Sequence, residues 1–345
     1  MKDESRTQRA LAAGSSFLPP PSLSIVIPSH SRPDLLTLCL ASVARFAPPG
    51  TEVVVVDDGS RAGCVARAAE EFAGVKVVRR PKAGGFCVAA NAGIAAASAP
   101  IVELLNDDAE VTEGWADATL AWFADARVAA VAPLVLQNDS DRRARGLSPL
   151  IDTAGDEYDF GGFAVKRGSG KEYRRGSSEE KRRMGEGVKG REEDNDTRSF
   201  PCLPFSSDES LLFKAGPVWG ASAAAAFYRR AALLAAGGFP EHFGAYFEDV
   251  DLSFRLRRLG FEIVYDPASV VWHRVSGSYG RTPSRRTLER QSCNEERVFW
   301  RNVRGRRLVK CLPRHAAVLA AKALRRWQEG TLLPWFMGRV RAFAG

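Results

Sequence analysis

The sequence predicts an α/β fold in which helices flank a mostly parallel central sheet. Short apolar runs alternate with segments of helical periodicity from Leu23 to Leu136, as expected for βαβ units. Several of these runs are continuous and rich in β-branched residues, which is typical of parallel strands covered on both faces. Three of the runs end abruptly in polar residues, as strands do at the ligand-binding edge of α/β sheets.

The N-terminal elements follow one another in regular order. The apolar runs predict strands at Leu23–Ile27, Glu52–Val56, Val75–Val78, Ile101–Leu105 and Val128–Leu136. Apolar residues that recur every three or four positions predict helices at Pro33–Phe46, Ala62–Phe72, Val88–Ala97 and Trp115–Ala124. Because strand–helix–strand connections are right-handed, these units build a sheet whose strands run mostly parallel.

Residues 139–215 interrupt the pattern. Residues 166–198 are dense in Lys, Arg, Glu, Gly and Ser and nearly free of aliphatic side chains, so most of this stretch is predicted to be disordered. Residues 151–162 look more ordered. Beyond the insertion, the sequence predicts a small-residue strand over Pro217–Ala221, helices at Arg229–Ala236 and Asp249–Leu259, and strands at Glu262–Tyr265 and Val270–His273.

The positive charge is concentrated at the C-terminal end. The net charge is +8, yet residues 281–345 contain 16 Lys and Arg against 4 Asp and Glu. A nucleic-acid-binding surface over the whole protein is therefore not expected. Apolar and Arg residues are interleaved in this basic, helical extension, which suits amphipathic helices at a membrane surface. Helices packed back on the main domain are an equally good interpretation, and Pro313 is predicted to divide the extension in two.

The cysteines and the apolar runs bear on the compartment. The six cysteines are scattered without a CxxC pair, which argues against a zinc ribbon or a disulfide framework and favours a reducing environment. No apolar segment follows the charged N-terminus, and no run of 18 apolar residues occurs. We therefore expect no signal peptide and no membrane span, and a cytoplasmic protein, either free or peripheral at a membrane.

Polar residues converge at the predicted sheet edge, where three strands end in Pro28-Ser29, Asp57-Asp58 and Asn106-Asp107-Asp108. Either aspartate of the second group could accept hydrogen bonds from a base or a ribose, although Asp-Asp-Gly-Ser is also typical of a turn with a helix cap. The third group offers the oxygen ligands that Mg²⁺ and Mn²⁺ prefer. Its alternative is a solvated loop that caps the next helix.

A second acidic group begins a helix far downstream. Glu248, Asp249 and Asp251 fall in the first helical turn, where the helix dipole favours acidic residues and keeps a base ionised. An ordinary acidic first turn is the alternative. His273, at a strand end, is either a metal ligand or a structural histidine.

Two series of short motifs occur in order along the chain. The first comprises Ser24–Pro28, Val54–Ser60, Gly85-Phe86 with Asn91–Gly93, and Leu105–Asp108. The second comprises Trp219–Ala221, Gly237–Phe239, Phe247–Leu252 and His273. Across residues 23–280, apart from the charged insertion, this order and spacing resemble an inverting family 2 glycosyltransferase of GT-A fold. The second series resembles its rhamnosyltransferase-like and galactofuranosyltransferase-like branch.

The resemblance implies a role for each motif. The donor would be a nucleoside-diphosphate sugar, UDP- or dTDP-linked, contacted by Pro28, Ser29, Arg32, Asp57, Asp58, Gly85, Asn91, Asn106 and Asp107. Asp108 and His273 would hold a divalent cation, Mn²⁺ or Mg²⁺, and Asp249 would be the general base. The acceptor, a hydroxyl of a glycan or of a lipid-linked sugar, would meet Trp219, Gly220, Ala221 and Glu248.

Residues 1–22, which end in Pro19-Pro20-Pro21, are predicted to form a flexible leader. The resemblance implies that residues 23–280 form a GT-A domain with a nucleotide-binding half (23–138) and an acceptor half (216–280). Three other functions remain open at this stage. They are a non-catalytic module that binds nucleotide sugars, a sugar-nucleotide nucleotidyltransferase, and a nucleic-acid- or lipid-binding protein that acts through residues 281–345.

Overall fold

The computed structural model describes residues 22–173, 209–274 and 283–344. The predictions for the leader and for residues 174–208 of the charged insertion lie outside these residues. The described strands are β1 (Leu23–Ser29), β2 (Glu52–Asp57), β3 (Val75–Arg79), β4 (Ile101–Leu104), β5 (Ala109–Val111), β6 (Val128–Gln137), β7 (Ile151–Thr153), β8 (Asp156–Asp159), β9 (Phe163–Lys166), β10 (Gly216–Pro217), β11 (Phe227–Arg229) and β12 (Glu262–His273).

Helices flank the strands along the described chain. They are α1 (Pro33–Phe46), α2 (Cys64–Glu70), α3 (Phe86–Ala96), α4 (Trp115–Trp122), α5 (Ser140–Ala144), α6 (Arg230–Ala235), α7 (Glu248–Arg258), α8 (Arg285–Asn302), α9 (Gly305–Gln328) and α10 (Leu332–Arg341). The predicted α/β class and the C-terminal helical extension are therefore confirmed.

The central sheet is mixed. Its strands lie in the order β10-β12-β6-β11-β4-β1-β2-β3, with β5 beside β12 and β7 beside β6. β3, β2, β1 and β4 pair in parallel, as do β6 and β12. β11 runs antiparallel between β4 and β6 and joins these two parallel groups. All seven residues of β1 are buried, which agrees with a strand covered by helices on both faces.

The predicted strand over Pro217–Ala221 is wrong in its extent. Only Gly216 and Pro217 pair as a strand, with β12, while the strand next to β4 is β11, ten residues later. Phe227 and Tyr228 are aromatic residues that pack well in a sheet. The alanines before them offer little side-chain surface to a strand, and this segment instead passes along the edge of the sheet as a loop.

β12 is one strand where two were predicted. It runs from Glu262 to His273 through Asp266-Pro267, and its register against β6 shifts between Asp266 and Val270. A bulge of this kind accommodates a proline, which has no N–H to donate to the ladder. The strand therefore continues and places His273 at the same edge of the sheet as the ends of β1 and β4.

The beginning of the insertion is ordered. β7 pairs with β6, and β8 and β9 form an antiparallel hairpin in register Asp156 with Lys166. Backbone hydrogen bonds between Asp156 and Gly220 in both directions, of 2.9 and 3.1 Å, fix this hairpin to the main domain. The insertion therefore contributes described residues to the surface around the sheet edge.

The helix boundaries in the C-terminal extension differ from the prediction. Pro313 lies inside α9, which continues from Gly305 to Gln328, so the prediction that Pro313 divides the extension is wrong. A proline inside a helix removes one hydrogen bond, whereas Gly305 and Gly330 adopt left-handed φ values of 59° and 67° and mark the ends of the helix. Among the described helices, none is both long and apolar enough to cross a bilayer.

Candidate active site

A cavity of about 790 Å³ opens at the carboxyl ends of β1, β2 and β4. Because parallel strands end at the same edge, side chains from distant parts of the chain meet there. The first turn of α7, the β8–β9 hairpin and the end of β12 complete its walls. The predicted site residues that line it are Pro28, Ser29, Arg32, Asp58, Gly85, Asn106, Asp107, Glu248, Asp249 and His273.

The two aspartates at the end of β2 have different positions. Asp57 is fully buried and does not line the cavity; its carboxylate accepts a 2.8 Å hydrogen bond from the Ser60 N–H, as in a turn. Asp58 lines the cavity and accepts hydrogen bonds from the Gly84 and Gly85 N–H groups at 3.0 and 2.8 Å. The aspartate pair thus forms a turn and also fixes a second loop at the cavity wall.

Gly59 allows these two loops to approach each other. Its φ is +65°, and a Cβ atom at this position would lie 2.5 Å from the Ala83 backbone nitrogen. Only glycine avoids both the unfavourable φ and the steric overlap. The Asp-Asp-Gly order therefore places Asp58 against the Gly84-Gly85 turn.

Arg32 links β1 to the carboxylates that follow β4. Its guanidinium donates to Asp107, and at 2.9 Å to Asp108, while the Ser29 hydroxyl donates to Asp107 at 2.6 Å. Burial raises the pKa of Asp107 to about 6, although Arg32 and Ser29 favour its charged form. Burial also opposes the charge of Asp108, but hydrogen bonds with His273 and Arg32 lower the pKa of that carboxyl below its usual value.

Strand pairing brings His273 to Asp108. β5 begins directly after Asp108, and its first residue, Ala109, pairs antiparallel with His273. His273 Nε2 lies 3.1 Å from Asp108 Oδ1, and Nδ1 lies 3.1 Å from Asp152 Oδ2. Burial disfavours the charged imidazolium form of His273. Hydrogen bonds with these two carboxylates nevertheless raise the pKa of His273 to about 9.

His273 lines the cavity, whereas Asp108 lies just behind the lining and contacts His273. Together they offer an oxygen and a nitrogen to a divalent cation that a bound diphosphate helps to hold. Within the described residues, no three His, Cys, Asp or Glu side chains are grouped as a ready-made metal site. Cations next to substrate phosphates commonly take only one or two protein carboxylates, and a histidine can add a nitrogen ligand once its ring is neutral. The contact of His273 Nδ1 with Asp152 is the arrangement that orients metal-binding histidines.

Asp249 lies in the first turn of α7 and reaches the cavity. Its carboxylate accepts hydrogen bonds from the Ala223 N–H at 3.1 Å and the Val250 N–H at 2.8 Å, which fix its orientation. Burial raises the pKa of Asp249. Burial and the charge of Asp249 also raise the pKa values of Glu248 and Asp156 to about 8. The cavity thus contains a carboxyl group that is a stronger base than an exposed aspartate.

The loop before Asp249 is strained and is held by α8. Tyr246 and Phe247 have φ values of 74° and 65°, which cost non-glycine residues about 1–3 kcal/mol each. The amide of Asn294, buried in α8, donates to the carbonyl oxygens of Phe243, Ala245 and Tyr246 at 2.9–3.0 Å. The Gly244 carbonyl accepts a 3.0 Å hydrogen bond from the Cys87 N–H in α3. Contacts from two helices therefore stabilise the loop that presents Asp249.

Some predicted site residues lie behind the cavity wall. Asn91 bonds the Phe239 backbone through both its side-chain oxygen and its nitrogen, at 2.8 and 2.9 Å. Trp219 stacks on Tyr158 with 5.0 Å between ring centroids, and Gly220 bonds to Asp156. The segment reaches the cavity at Ser222–Ala224, one residue beyond Ala221.

Three charged residues of the insertion belong to the site but were not predicted from the sequence. Asp156 and Lys166 line the cavity, and Asp152 accepts hydrogen bonds from His273 and, at 3.0 Å, from Lys166. Asp152 and Asp156 fall within residues 151–162, the part of the insertion predicted to be ordered. That prediction was the one sequence signal that could have pointed to them. Their short, polar strands gave no apolar pattern that would have placed them beside the site.

The fold and the cavity define an α/β protein of the GT-A type. The mannosyltransferase PcManGT from Pyrobaculum calidifontis, solved in complex with GDP-Man and Mn²⁺, matches with a TM-score of 0.54 at 17% identity, over 98% of this chain and 92% of that one. GalNAc-T7, solved with UDP, GalNAc and Mn²⁺, matches with a TM-score of 0.53 at 18% identity, over 81% of this chain and 47% of that one. These likenesses concern the fold.

Sequence comparison finds a family match in the N-terminal part, where residues 24–193 match the model of Glycosyl transferase family 2. A pre-mycofactocin glycosyltransferase of Mycobacterium tuberculosis is 27% identical over 257 residues, which is 73% of this chain and 42% of that protein. An N-acetylglucosaminyl-diphospho-decaprenol L-rhamnosyltransferase of the same organism is 36% identical over 88 residues, 25% of this chain and 29% of that protein. The chain thus spans less than half the length of both curated relatives.

Proposed function

We propose that this chain is an inverting, metal-dependent glycosyltransferase. It would move a sugar from a UDP- or dTDP-linked donor to a hydroxyl of a glycan or lipid-linked acceptor. The observation that carries this proposal is the convergence of Asp58, Asp107, Asp249 and His273, from distant parts of the chain, on one cavity. The match of residues 24–193 to the family 2 model and the names of the relatives support the same class of reaction.

The donor would lie along the ends of β1, β2 and β4. Asp58 and the Gly84-Gly85 turn that it fixes form the wall for the base and the ribose. Asp108 and His273 would hold the cation at the diphosphate, and when bound this cation neutralises charge that develops on the leaving group. Arg32, which contacts Asp107 and Asp108, would adjust to the bound diphosphate and share in this neutralisation.

The acceptor would approach from the side of α7 and the β8–β9 hairpin. Asp249 takes the proton of the acceptor hydroxyl as the oxygen of that hydroxyl forms a bond to the anomeric carbon. The bond between that carbon and the diphosphate oxygen breaks, and its electron pair leaves with the nucleoside diphosphate. A single displacement of this kind inverts the anomeric configuration. The raised pKa of Asp249 suits a base, provided the carboxyl is ionised at the working pH.

A transfer assay tests the proposal. The purified chain is incubated with UDP- and dTDP-linked sugars, Mn²⁺ or Mg²⁺, and a panel of glycan and lipid-linked acceptors. We expect nucleoside diphosphate release that requires an acceptor and stops with EDTA, and a product whose anomeric proton coupling shows inversion. A retained configuration would contradict the mechanism. Donor binding without any release would indicate a binding module, and pyrophosphate release from a nucleoside triphosphate and a sugar phosphate would indicate a nucleotidyltransferase.

The strained loop offers a second prediction. Replacing Asn294 by alanine removes a hydrogen bond from each of three loop carbonyls, so we expect the free energy of unfolding to fall by about 1–3 kcal/mol. Because Asp249 follows this loop and small displacements of a catalytic group are costly, kcat/KM should fall by about 10- to 100-fold. Thermal unfolding and initial rates measure the two effects.

Arg286→Ala, an exposed position on the same helix, is the matched control for Asn294→Ala and should retain both stability and rate. If Asn294→Ala lowered stability yet transferred sugar at the normal rate, the contacts of α8 would not position the base.

A further inference from the structure

α9 packs on the main domain through one side only. His315 is buried, stacks on Phe299 with 3.7 Å between ring centroids, and lies 2.8 Å from the Gly161 carbonyl and 3.2 Å from Glu296. These contacts identify the inner side of the helix. The opposite side must therefore face outward.

The outward side of α9 is apolar. Val309, Leu312, Leu324 and Trp327 are 69%, 38%, 54% and 68% exposed, and with Ala316 and Ala320 they recur every three or four residues along one stripe. α10 presents four further apolar side chains, each 47–66% exposed: Leu333, Phe336, Val340 and Phe343. We call these eight large side chains the exposed apolar face. A helix at the surface of a soluble protein normally shows the reverse pattern.

Positive charges border the exposed apolar face. α9 contains seven Lys and Arg residues and no Asp or Glu, and in residues 303–344 only Glu329 is acidic, against ten Lys and Arg. Arg306 and Lys310 are exposed at one end of the stripe. Arg325 and Arg326 flank its other end, where both also pair with Glu329 at 2.8 and 2.9 Å. Apolar side chains bordered by cations are typical of helices that lie in the interface of an anionic membrane.

A groove leads inward from this face. It measures about 410 Å³ and lies between α8, α9 and α10, with Phe336, Val340 and Phe343 at its wall and Glu296 and Arg339 at its floor. Its walls are mostly aromatic and aliphatic. An acyl chain could insert here without exposing the buried ion pair between Arg339 and Glu296.

We propose that the exposed apolar face binds this protein to the surface of an anionic lipid bilayer. Apolar side chains would enter the headgroup boundary while Arg306, Lys310, Arg325 and Arg326 meet lipid phosphates. A second copy of the chain is a poorer occupant, since two such faces would bring like charges together. The proposal is independent of the sugar-transfer reaction, because vesicle binding requires neither donor nor acceptor.

Vesicle flotation with the full chain tests the proposal. We expect binding to vesicles of phosphatidylglycerol and phosphatidylcholine, little binding to phosphatidylcholine alone, and weakening as the salt concentration rises. Leu324→Glu with Trp327→Glu should reduce the partition coefficient at least tenfold. Arg306→Gln with Lys310→Gln should reduce it by roughly 25-fold at low salt, because each cation near an anionic surface contributes a factor of about five.

The matched control places two glutamates elsewhere. Leu147 and Leu234 are 47% and 49% exposed outside this face, and Leu147→Glu with Leu234→Glu should bind vesicles as the parent protein does. Equal binding by the Leu324 and Trp327 variant, or no binding by the parent chain, would overturn the proposal. So would sedimentation equilibrium showing a dimer that this variant dissociates, because a second copy would then cover the face. Circular dichroism verifies that each variant is folded.

Discussion

Replacing Asp249 by asparagine should reduce sugar transfer by about 10²- to 10⁴-fold while leaving donor binding nearly unchanged. The substitution keeps the size of the side chain but removes the group that accepts the acceptor's proton, a contribution typically of that magnitude. The donor would lie at the ends of β1, β2 and β4, so its contacts should persist. Single-turnover rates and calorimetric titration with the nucleoside diphosphate measure the two quantities separately.

The control for Asp249→Asn is Asp117→Asn, the same chemical change at an exposed position of α4, which should transfer sugar normally. Near-normal turnover by Asp249→Asn would remove Asp249 from the role of base. A loss of donor affinity equal to the loss of rate would make it a binding residue instead.

The same carboxyl should set the acidic limb of the pH profile. Burial raises the pKa of Asp249, and the charged groups that face it are Glu248, Asp156 and Lys166. A base works in its deprotonated form, so kcat/KM should rise as the pH increases through this raised pKa, above the range of an ordinary aspartate. In Lys166→Met, which removes the nearby positive charge, the limb should move to higher pH. A limb at the same pH in both proteins would show that another group controls it.

Replacing Asp108 by asparagine should abolish the metal-dependent part of nucleoside diphosphate binding. The substitution removes one of the two side chains that fit a divalent cation. Loss of a residue that merely orients a ligand costs about 10- to 100-fold in metal affinity, so we expect a loss of more than about 100-fold for Asp108→Asn. Asp152→Asn, which releases His273 Nδ1, should lower the metal affinity by the smaller factor of about 10 to 100. Titration of Mn²⁺ by electron paramagnetic resonance, with UDP present, gives these affinities.

Glu113→Gln, an exposed position near Asp108, serves as the control and should bind Mn²⁺ as the parent protein does. If Asp108→Asn lowered the unfolding temperature yet kept the Mn²⁺ affinity, Asp108 would be only a partner of Arg32 and His273. The choice of Asn keeps the side-chain size, so a general collapse of the site is not the expected result.

The parts predictable from sequence were those with a strong local pattern. β1, β2, β4 and β6 are mainly apolar runs. Because parallel strands end at one edge, the presence of Asp58 and Asp107 at the same cavity could be predicted from their positions. Asp249 could be placed at a helix start from its acidic first turn. The convergence of these residues is visible in the structure, whereas their roles remain proposals.

Other features depend on tertiary contacts that leave no local pattern. β5 has three residues and gains its pairing only from β12, so the contact of His273 with Asp108 was not derivable from periodicity. β11 is equally short and becomes a strand between β4 and β6. Lys166 lies at the edge of a charge-rich stretch that resembles disorder by composition, yet the hairpin partner Asp156 holds it beside the cavity.

The pairing of Ala109 with His273 constrains how this chain can vary. Successive side chains of a strand point to opposite faces, so a one-residue insertion or deletion in β5 or near the end of β12 would turn the imidazole away from Asp108. Length changes should therefore be harmful within Ala109–Val111 and Val271–His273. At Asp266-Pro267, where a bulge already absorbs extra residues, an added residue should be tolerated far better.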